Sequence, residues 1–308
     1  MKQLHISPAP HERRPMTTMQ IMLRVFIALL PAAVVGCLTF GIRAAVVIAV
    51  CILSSMFFEF LCRILMKRPQ TITDLSAAVT GLLLGMNLPV DIPFWQAVVG
   101  SFVAIVVTKQ LFGGLGQNFA NPAIVARIVL LVSFQESMTT WRMPHSDAIA
   151  SATPLVSNEA SYLDLLLGNT AGCIGETCAI ALIPGGVYLL VRGIISPAAP
   201  IGFIGTFAIC TFLAGNDPLY QVLSGGLLLG AIFMATDYVT TPITKSGKLL
   251  FGIGCGALTF CIRQFGGYPE GVSFSILLMN LLVPYLDRMT KTKPFGAMPH
   301  RKEAKSHE

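Results

Sequence analysis

Apolar blocks of about the length that crosses a lipid bilayer recur along the whole chain. A helix needs about 20 such residues to span the hydrocarbon core, and its backbone groups must bond within the helix because no water is available there. Hydrophobic residues make up 54% of the sequence and charged residues 12%, about half the charged share of a soluble domain. The sequence therefore predicts an all-α, polytopic membrane bundle.

Ten membrane spans are predicted from these blocks, and two of them, 75–90 and 121–134, are short for a full crossing. The ten spans are 21–40, 44–65, 75–90, 94–110, 121–134, 176–192, 198–214, 219–236, 249–265 and 271–286. The chain then divides into an N-terminal segment (1–20), a first membrane repeat (21–134), a loop (135–175), a second membrane repeat (176–286) and a basic tail (287–308).

Lys and Arg are distributed unevenly between the two sides of this predicted bundle. The first residues are polar and basic and lack the cleavage site of a signal peptide, so we expect them to stay in the cytoplasm. Ten crossings from there leave only Arg43, Arg142 and Arg263 outside, and place Arg127 within a span. This asymmetry predicts cytoplasmic termini and an external 135–175 loop. It also explains the net charge of +6 without nucleic-acid binding, for which no basic–aromatic patch is present.

Two sequence matches indicate that the halves of the chain repeat each other. Gly81–Gly85 matches Gly226–Gly230, and Lys109–Gly113 matches Lys248–Gly252. Five spans in each half would insert in opposite orientations, which is the inverted-repeat plan of many transporters. The sequence therefore predicts about ten helices in two inverted five-helix repeats.

The third and eighth predicted spans are rich in Gly and end in polar runs that contain Pro, 86–91 and 235–242. Interrupted spans at corresponding positions are typical of broken helices around a central site. Ordinary helix ends with Asn, Asp and Pro in turns explain either run alone equally well. Taken as a pair, the two runs favour short or broken helices.

Charged residues within the spans are candidates for function. Arg127 lies deepest, and an ionisable group there needs a partner or a ligand because its burial in lipid is costly. Asp237, Asp74 and Glu59 lie nearer span ends, where snorkelling or helix capping explains them at lower cost. A sodium or proton path could use these carboxylates, and the sequence does not choose among them.

A Gly-rich run, 113–122, leads into the fifth predicted span. Asn121 is expected to cap that helix, with Pro122 at its first position. The run lacks the βαβ surroundings of a dinucleotide fingerprint. A tight turn between helices is therefore the simpler interpretation, although its glycines would also admit a planar ligand.

The chain contains eight cysteines, most of them in apolar spans where small buried residues are expected. Cys173 and Cys178 lie close together near the outer surface, where a disulfide or a shared cluster both stay open. Their spacing matches no known ligand pattern, so no metal site is assigned. No Ser/His/Asp set, P-loop or paired-carboxylate constellation is present, and no catalytic residue is assigned.

The external loop carries the most specific motif, Asp-Ala-Ile-Ala-Ser-Ala-Thr at 147–153, followed by Pro154 and Leu155. Its small side chains let a bulky group approach the backbone, and Thr153 supplies a hydroxyl. The pattern resembles the covalent flavin attachment motif of bacterial redox pumps, in which a threonine oxygen carries FMN through a phosphoester. Ser151 stands where those motifs often have Gly. A plain loop with an Ala-Thr-Pro turn is the alternative, because short motifs match by chance.

The chain as a whole resembles one family over essentially its full length. That family contains the D subunit of the Rnf complex, an ion-translocating ferredoxin:NAD oxidoreductase, and more distantly the B subunit of the sodium-pumping NADH:quinone oxidoreductase. The segments that carry the resemblance are 7–11, 28–32, 113–122, 152–155 and 234–242.

The resemblance implies a membrane electron-transfer subunit of a redox-driven ion pump, not an enzyme by itself. FMN attached to Thr153, in a motif with Asp147, Ser151 and Ala152, would receive electrons from an external flavin subunit and pass them toward the cytoplasmic side. Expected partners are the other Rnf subunits, RnfA, RnfB, RnfC, RnfE and RnfG, with RnfG as the external FMN protein, and the lipid of a bacterial inner membrane.

A non-covalent riboflavin in the related quinone-linked protein implies a second flavin site in this chain. Asn118, Asn121 and Asp237 are the candidates for lining it.

Two other classes of function stay open. Inverted repeats and broken helices suit a solute transporter or channel without redox chemistry equally well, and a purely structural scaffold would bind no flavin. The Thr153 motif favours the flavin protein, since a permease has no use for it. Whether sodium or protons would move is not determined by the sequence.

Overall fold

The computed structural model describes residues 16–144, 149–150, 155, 160–266 and 270–291. These residues form an almost entirely helical bundle, which confirms the all-α prediction. The α-helices are α1 (Thr18–Phe40), α2 (Ile42–Leu65), α3 (Ser76–Met86), α4 (Phe94–Phe102), α5 (Pro122–Ser133), α6 (Gln135–Thr139), α7 (Tyr162–Leu167), α8 (Ala179–Val191), α9 (Ala198–Leu213), α10 (Pro218–Leu223), α11 (Leu227–Leu229), α12 (Lys245–Phe265) and α13 (Val272–Met289).

Short elements of other kinds complete the described chain. A 3-10 turn at Ile72–Asp74 precedes α3, and α4 and α11 continue directly into π-helices at Val103–Gln110 and Gly230–Met234. After α6, the two-residue strands β1 (Trp141–Arg142) and β2 (Ile149–Ala150) pair antiparallel, with Trp141 opposite Ala150.

Four of the described helices, α1, α2, α12 and α13, are long and apolar enough to cross a membrane. Shorter apolar helices accompany them: α3, α4 with its π-helix, α5, α8 and α9. Large apolar side chains such as Leu38, Ile42 and Phe212 are more than two-thirds exposed, as lipid contact would require. The chain is a multi-pass membrane protein.

Local sequence explains where several helices begin. Thr17 and Gln20 form a capping box at the start of α1, which satisfies two free backbone N–H groups. The Asn121 side chain accepts a hydrogen bond from Ala123 N at 3.1 Å, and Pro122 is the first residue of α5. The predicted Asn-Pro cap is confirmed.

Polar contacts gather at the two ends of the bundle. We call the end at which α1 begins the proximal end; it holds an ion pair between Lys109 Nζ and Glu59 Oε2 at 2.9 Å. The distal end, at which α1 finishes, holds Asp91 between Arg43 at 3.4 Å and Arg142 at 3.6 Å. Both ends therefore bring together residues that are far apart in the sequence.

The two short helices predicted at corresponding positions are present, and their ends meet inside the bundle. Asn87, directly after α3, has its Nδ2 3.7 Å from Met234 Sδ at the end of the second π-helix. Asn121 Nδ2 donates to Met234 O at 3.3 Å. A carbonyl freed where a helix stops must find such a partner when water is absent.

The predicted eighth span, 219–236, is not one continuous helix. Helix α10 ends at Leu223, and the break before α11 contains Gly225 with a φ of +67°. Only glycine adopts this conformation without steric cost, so the chain turns here instead of continuing as a helix.

The Lys109–Gly113 match with Lys248–Gly252 is not a structural repeat. Lys109 lies in the last turn of the first π-helix, whereas Lys248 lies in the first turn of α12. A duplication would place matched residues at the same point of corresponding helices. This match therefore does not mark equivalent positions of two repeats, and Gly and Leu are common enough in the chain for so short a match to arise from composition alone.

Helices α9 and α12 approach each other through glycines. A Cβ added at Gly252 would overlap the Ala199 carbonyl oxygen, and one at Gly256 would lie 2.5 Å from the Phe203 carbonyl oxygen. Glycines four residues apart let two helix backbones come close enough for extensive van der Waals contact. The close packing of α9 against α12 therefore depends on glycine, which has no side chain, at these positions.

We expect Gly252→Ala to lower the thermal unfolding midpoint of the purified protein, because overpacking against a backbone oxygen costs about 1–3 kcal/mol. Gly205→Ala in α9 is the matched control, since a Cβ there would meet nothing within 4 Å. The control should unfold at or above the wild-type midpoint. Equal midpoints for Gly252→Ala and wild type would contradict the close packing.

Candidate functional site

The flavin-motif residues lie outside the part of the chain that the structure describes: Asp147, Ser151, Ala152 and Thr153. Leu155, two positions after Thr153, is described and lies at the distal end. A Cβ built on Gly225 would be 2.8 Å from Leu155 Cδ1. Leu155, the first described residue after the motif, therefore packs against the break between α10 and α11.

A polar cavity lies beside Leu155. Arg263 lines it and donates from Nη1 to Gln221 O at 2.7 Å and from Nη2 to Ser224 O at 3.2 Å. Arg263 Nε is buried without a hydrogen-bond partner among the described residues. Besides Leu155 and Arg263, the lining residues are Phe207, Thr211, Asn216, Gln221, Phe260 and Gln264. This cavity offers donors and a positive charge, which suit an anionic group.

Arg127 is almost fully buried, with 3% of its surface exposed. Its Nη1 donates to Asn87 Oδ1 at 2.6 Å, and its Nη2 donates to Glu176 Oε1 at 3.3 Å. Nη2 also bonds Glu270 Oε2 and lies 3.3 Å from Cys173 Sγ. The prediction that Arg127 has a partner is confirmed, and the partners are two carboxylates.

Neither Glu176 nor Glu270 stands out in the sequence, because Glu176 is the first residue of the predicted span 176–192 and Glu270 directly precedes the predicted span 271–286. Glu176 precedes α8 and Glu270 precedes α13, so the tertiary fold brings them over α5 from opposite parts of the chain. Burial raises the pKa of Glu270, although the Arg127 guanidinium opposes this effect. The only sequence signal for this cluster is that Arg127 requires counter-charges.

The three candidates for a second flavin site line one cavity at the proximal end: Asn118, Asn121 and Asp237. The cavity opens to the surface, and the empty space in it, including this mouth, is about 730 Å³. Apolar residues such as Leu83, Leu189 and Phe233 form most of the wall. Asn118 Oδ1 is buried without a hydrogen-bond partner among the described residues. An apolar cavity with an unsatisfied amide suits a flat ligand with polar edges.

Asp237 at this cavity is held by its own turn. Its Oδ1 accepts from Val239 N at 3.2 Å, and its Oδ2 accepts from Thr240 Oγ1 at 3.2 Å. Burial raises the pKa of the Asp237 carboxyl, and these two hydrogen bonds oppose that rise. Asp237 therefore lies near a helix end and bonds groups of its own turn, as the sequence predicted.

Glu59 and Asp74 behave differently from each other. Asp74 Oδ1 accepts from Ser76 N at 2.8 Å, so its capping role is confirmed. Glu59 does not snorkel: it is fully buried, and beside its Lys109 ion pair it accepts a hydrogen bond from Gln110 at 3.1 Å. That expectation was wrong, because sequence distance from a span end does not show which face of α2 is covered by other helices.

Cys173 and Cys178 are both free thiols. Cys173 Sγ lies against Arg127, whereas Cys178 Sγ donates to Leu166 O at 3.4 Å. The two side chains therefore have separate partners, and the disulfide that the sequence left open is not formed.

We expect Arg127→Leu to destabilise the protein strongly, because removing one partner of a buried ion pair costs about 3–5 kcal/mol. Arg127→Lys should recover only part of the loss, since one ammonium cannot bond Asn87 and both carboxylates as a planar guanidinium does. Arg43→Leu is the control, because Arg43 is 45% exposed in its ion pair and such pairs contribute under about 1 kcal/mol. The readouts are abundance in membranes and thermal midpoint; wild-type values for Arg127→Leu would contradict the assignment.

Comparisons with known proteins identify the family of this chain. The model of the NQR2, RnfD, RnfE family matches residues 5–296. The D subunit of the Na(+)-translocating ferredoxin:NAD(+) oxidoreductase complex of Acetobacterium woodii is 47% identical over 98% of each chain. The D subunit of the proton-translocating ferredoxin:NAD(+) oxidoreductase complex of Clostridium ljungdahlii is 43% identical over 94% of this chain and 96% of its own. The D subunit of the ion-translocating oxidoreductase complex of Stutzerimonas stutzeri is 38% identical, covering 90% and 92%. The chain belongs to the NQR2, RnfD, RnfE family, as its sequence motifs predicted.

Proposed function

We propose that this chain is the membrane electron-transfer subunit of an ion-translocating ferredoxin:NAD oxidoreductase and carries FMN covalently on Thr153. The observation that carries the proposal is full-length similarity to relatives named as the D subunit of such complexes, combined with the 147–153 motif. Those relatives are parts of a redox enzyme complex. The proposed partners are therefore the other proteins of the complex, RnfA, RnfB, RnfC, RnfE and RnfG, with the external FMN protein RnfG as the electron donor.

The surroundings of Leu155 support flavin attachment at Thr153. The phosphoester of FMN is anionic, and the cavity beside Leu155 contains Arg263 with an unpartnered, buried Nε. Bound there, FMN would supply one-electron redox chemistry. The protein would hold the flavin through Thr153 Oγ1. The Arg263 guanidinium would offset the negative charge of the phosphoester.

The proximal cavity supports a second, non-covalent flavin, with riboflavin as the candidate. Asn118, Asn121 and Asp237 provide polar groups there within a mostly apolar wall. Such a flavin would lie at the opposite end of the bundle from Leu155. The pair of sites would place one electron carrier at each membrane surface.

We propose ten crossings in two inverted halves in a bacterial inner membrane. The four long helices, the five shorter apolar helices and the α11 segment with its π-helix make ten apolar segments. The distal end is then extracytoplasmic, and the proximal end and both termini are cytoplasmic. The distribution of Lys and Arg supports this orientation.

The alternative function is a solute transporter or channel without redox chemistry. Two short helices that meet inside the bundle at Asn87 and Met234 suit such a protein as well. Flavin content separates the two functions, because a permease of this architecture requires no covalent FMN.

We expect Thr153→Val to abolish covalent flavin, because valine keeps the shape of threonine but lacks the oxygen that forms the ester. The measurement is in-gel fluorescence and mass of the denatured chain, with membrane abundance as the check on folding. Thr139→Val is the control: Thr139 is an exposed threonine whose hydroxyl bonds its own helix at Gln135 O. Wild-type FMN mass on the Thr153→Val chain would rule out this acceptor.

Asn118→Leu should lower the flavin that denaturation releases, while covalent FMN stays constant, since only the proximal cavity loses its unsatisfied amide. Asn169→Leu, at an exposed distal position, is the control. The measurement is flavin in the protein-free supernatant of the purified complex. An unchanged released fraction would show that Asn118 does not bind the second flavin.

Cysteine labelling tests the orientation. In a background lacking the exposed Cys261, Asn216→Cys at the distal end should react with a membrane-impermeant thiol reagent in intact cells. Gln70→Cys at the proximal end should react only after the membrane is permeabilised. The reverse pattern would invert the proposed topology.

A further inference from the structure

Arg63 is a buried cation in the last turn of α2, at the proximal end of the bundle. Only 7% of its surface is exposed, so its guanidinium does not snorkel into water as an arginine near a helix end often does. Its Nε is buried without a hydrogen-bond partner among the described residues. None of the ion pairs in the described part of the chain includes Arg63. A charge buried in this way requires a counter-charge, because its desolvation is otherwise costly.

The carboxylate on the same helix does not supply this counter-charge. Glu59 lies one turn before Arg63, and its Oε2 pairs with Lys109 Nζ at 2.9 Å. Its Oε1 accepts hydrogen bonds from Thr71 Oγ1 at 2.9 Å and from Gln110 Nε2 at 3.1 Å. Both oxygens of Glu59 are therefore engaged, and its negative charge is matched by Lys109.

The Arg63 guanidinium packs against the Gly-rich turn that follows the first π-helix. A Cβ added at Gly114 would lie 2.5 Å from Arg63 Nη2, and the φ of Gly114 is +103°, so both space and backbone conformation require glycine there. Gln110 Oε1 lies 3.8 Å from the same point and is also buried without a hydrogen-bond partner among the described residues. This amide oxygen is neutral, so it leaves the positive charge of Arg63 uncompensated.

Two further basic residues, Lys67 and Arg68, are held at the same end of α2. Arg68 N donates to the Arg63 carbonyl oxygen at 3.0 Å, and Lys67 N donates to Ile64 O at 3.0 Å. Both basic residues are exposed. The φ of Lys67 is +52°, in the left-handed region where a helix usually places glycine after its last turn. A lysine that keeps this conformation against its steric cost points to a use for its side chain.

Exposed apolar side chains border this basic group on both of the segments that form it. Leu65 ends α2, and Leu111 and Phe112 follow the first π-helix; all three are exposed. The Phe112 ring lies beside that of Phe119, with the ring centroids 4.8 Å apart. Basic side chains next to aliphatic and aromatic ones are typical of the boundary between the acyl chains and the headgroups of a bilayer. A ligand that fits this surface has an anionic group next to apolar chains.

We propose that Arg63, Lys67 and Arg68 bind the phosphate of an anionic phospholipid, with its acyl chains against Leu65 and Phe112. A guanidinium can form two parallel hydrogen bonds with a phosphate group, which supplies the counter-charge that Arg63 requires. The two exposed basic residues add attraction for an anionic lipid over a zwitterionic one. The inference does not depend on a flavin or on which membrane surface the proximal end faces.

The test is the thermal unfolding midpoint of the whole purified complex in lipid nanodiscs, after its native lipid has been exchanged. The nanodiscs contain phosphatidylcholine alone or phosphatidylcholine with phosphatidylglycerol, at equal ionic strength and pH. A lipid that binds only the folded state stabilises it by mass action, so phosphatidylglycerol should raise the wild-type midpoint by about 2 °C or more. Arg63→Gln should lose this rise. In phosphatidylcholine alone its midpoint should equal or exceed that of wild type, because glutamine removes a buried charge that has no counter-charge there.

Two further variants complete the test. Lys67→Gly removes an ammonium and relieves the left-handed backbone, so it should raise the midpoint in phosphatidylcholine alone and reduce the response to phosphatidylglycerol. Arg192→Gln is the control for general attraction between basic residues and an anionic surface, because Arg192 is exposed at the same end of the bundle, directly after α8. This control should keep the full rise. If Arg63→Gln fails to assemble, a full rise in Lys67→Gly would overturn the site.

Four other outcomes would also overturn the lipid site. A rise in Arg63→Gln as large as in wild type would place the anionic lipid elsewhere in the complex. An equal rise with inorganic phosphate in phosphatidylcholine alone would assign the site to a soluble anion. A midpoint of Arg63→Gln far below that of wild type in both lipid mixtures would mean that a protein carboxylate outside the described residues pairs with Arg63. A wild-type midpoint that responds to neither anion would mean that water alone solvates the guanidinium.

Discussion

The burial of ionised groups in a medium that cannot solvate them is the constraint on which this structure depends. Arg127 and Lys109 are both almost completely buried, and each is held by carboxylates from segments distant in sequence. If one partner of such an ion pair were removed, the remaining buried charge would have a large uncompensated desolvation cost. The connecting segments before α8 and α13 therefore both contribute a carboxylate to a single guanidinium on α5.

The same constraint applies to the backbone. Helices that stop inside the bundle free carbonyl groups, and the amides of Asn87 and Asn121 supply donors where α3 and the second π-helix end. Glycines at the α9–α12 crossing have a different role, because they let two uninterrupted helices approach closely. The break between α10 and α11 lies at a cavity, which Gly225 lines.

The two candidate cofactor cavities lie at opposite ends of the bundle. The proximal one is mostly apolar with a few polar groups, whereas the cavity beside Leu155 is mainly polar and contains Arg263. This difference fits the proposed riboflavin at the proximal end and the proposed FMN phosphoester at the distal end. The Arg127 cluster lies between them, toward the distal end.

The sequence by itself determined the helical class, the apolar segments, the Asn121 cap and the family, because each depends on local composition or spacing. It also predicted that Arg127 needs a partner and grouped Asn118, Asn121 and Asp237 at one site. Only the tertiary structure decided that Glu176 and Glu270 are those partners, that Glu59 is buried against Lys109, and that 219–236 is broken at Gly225. Packing between segments far apart in the chain decides which face of a helix is covered and which loops meet above it. A sequence pattern is local and does not show which distant segments are in contact.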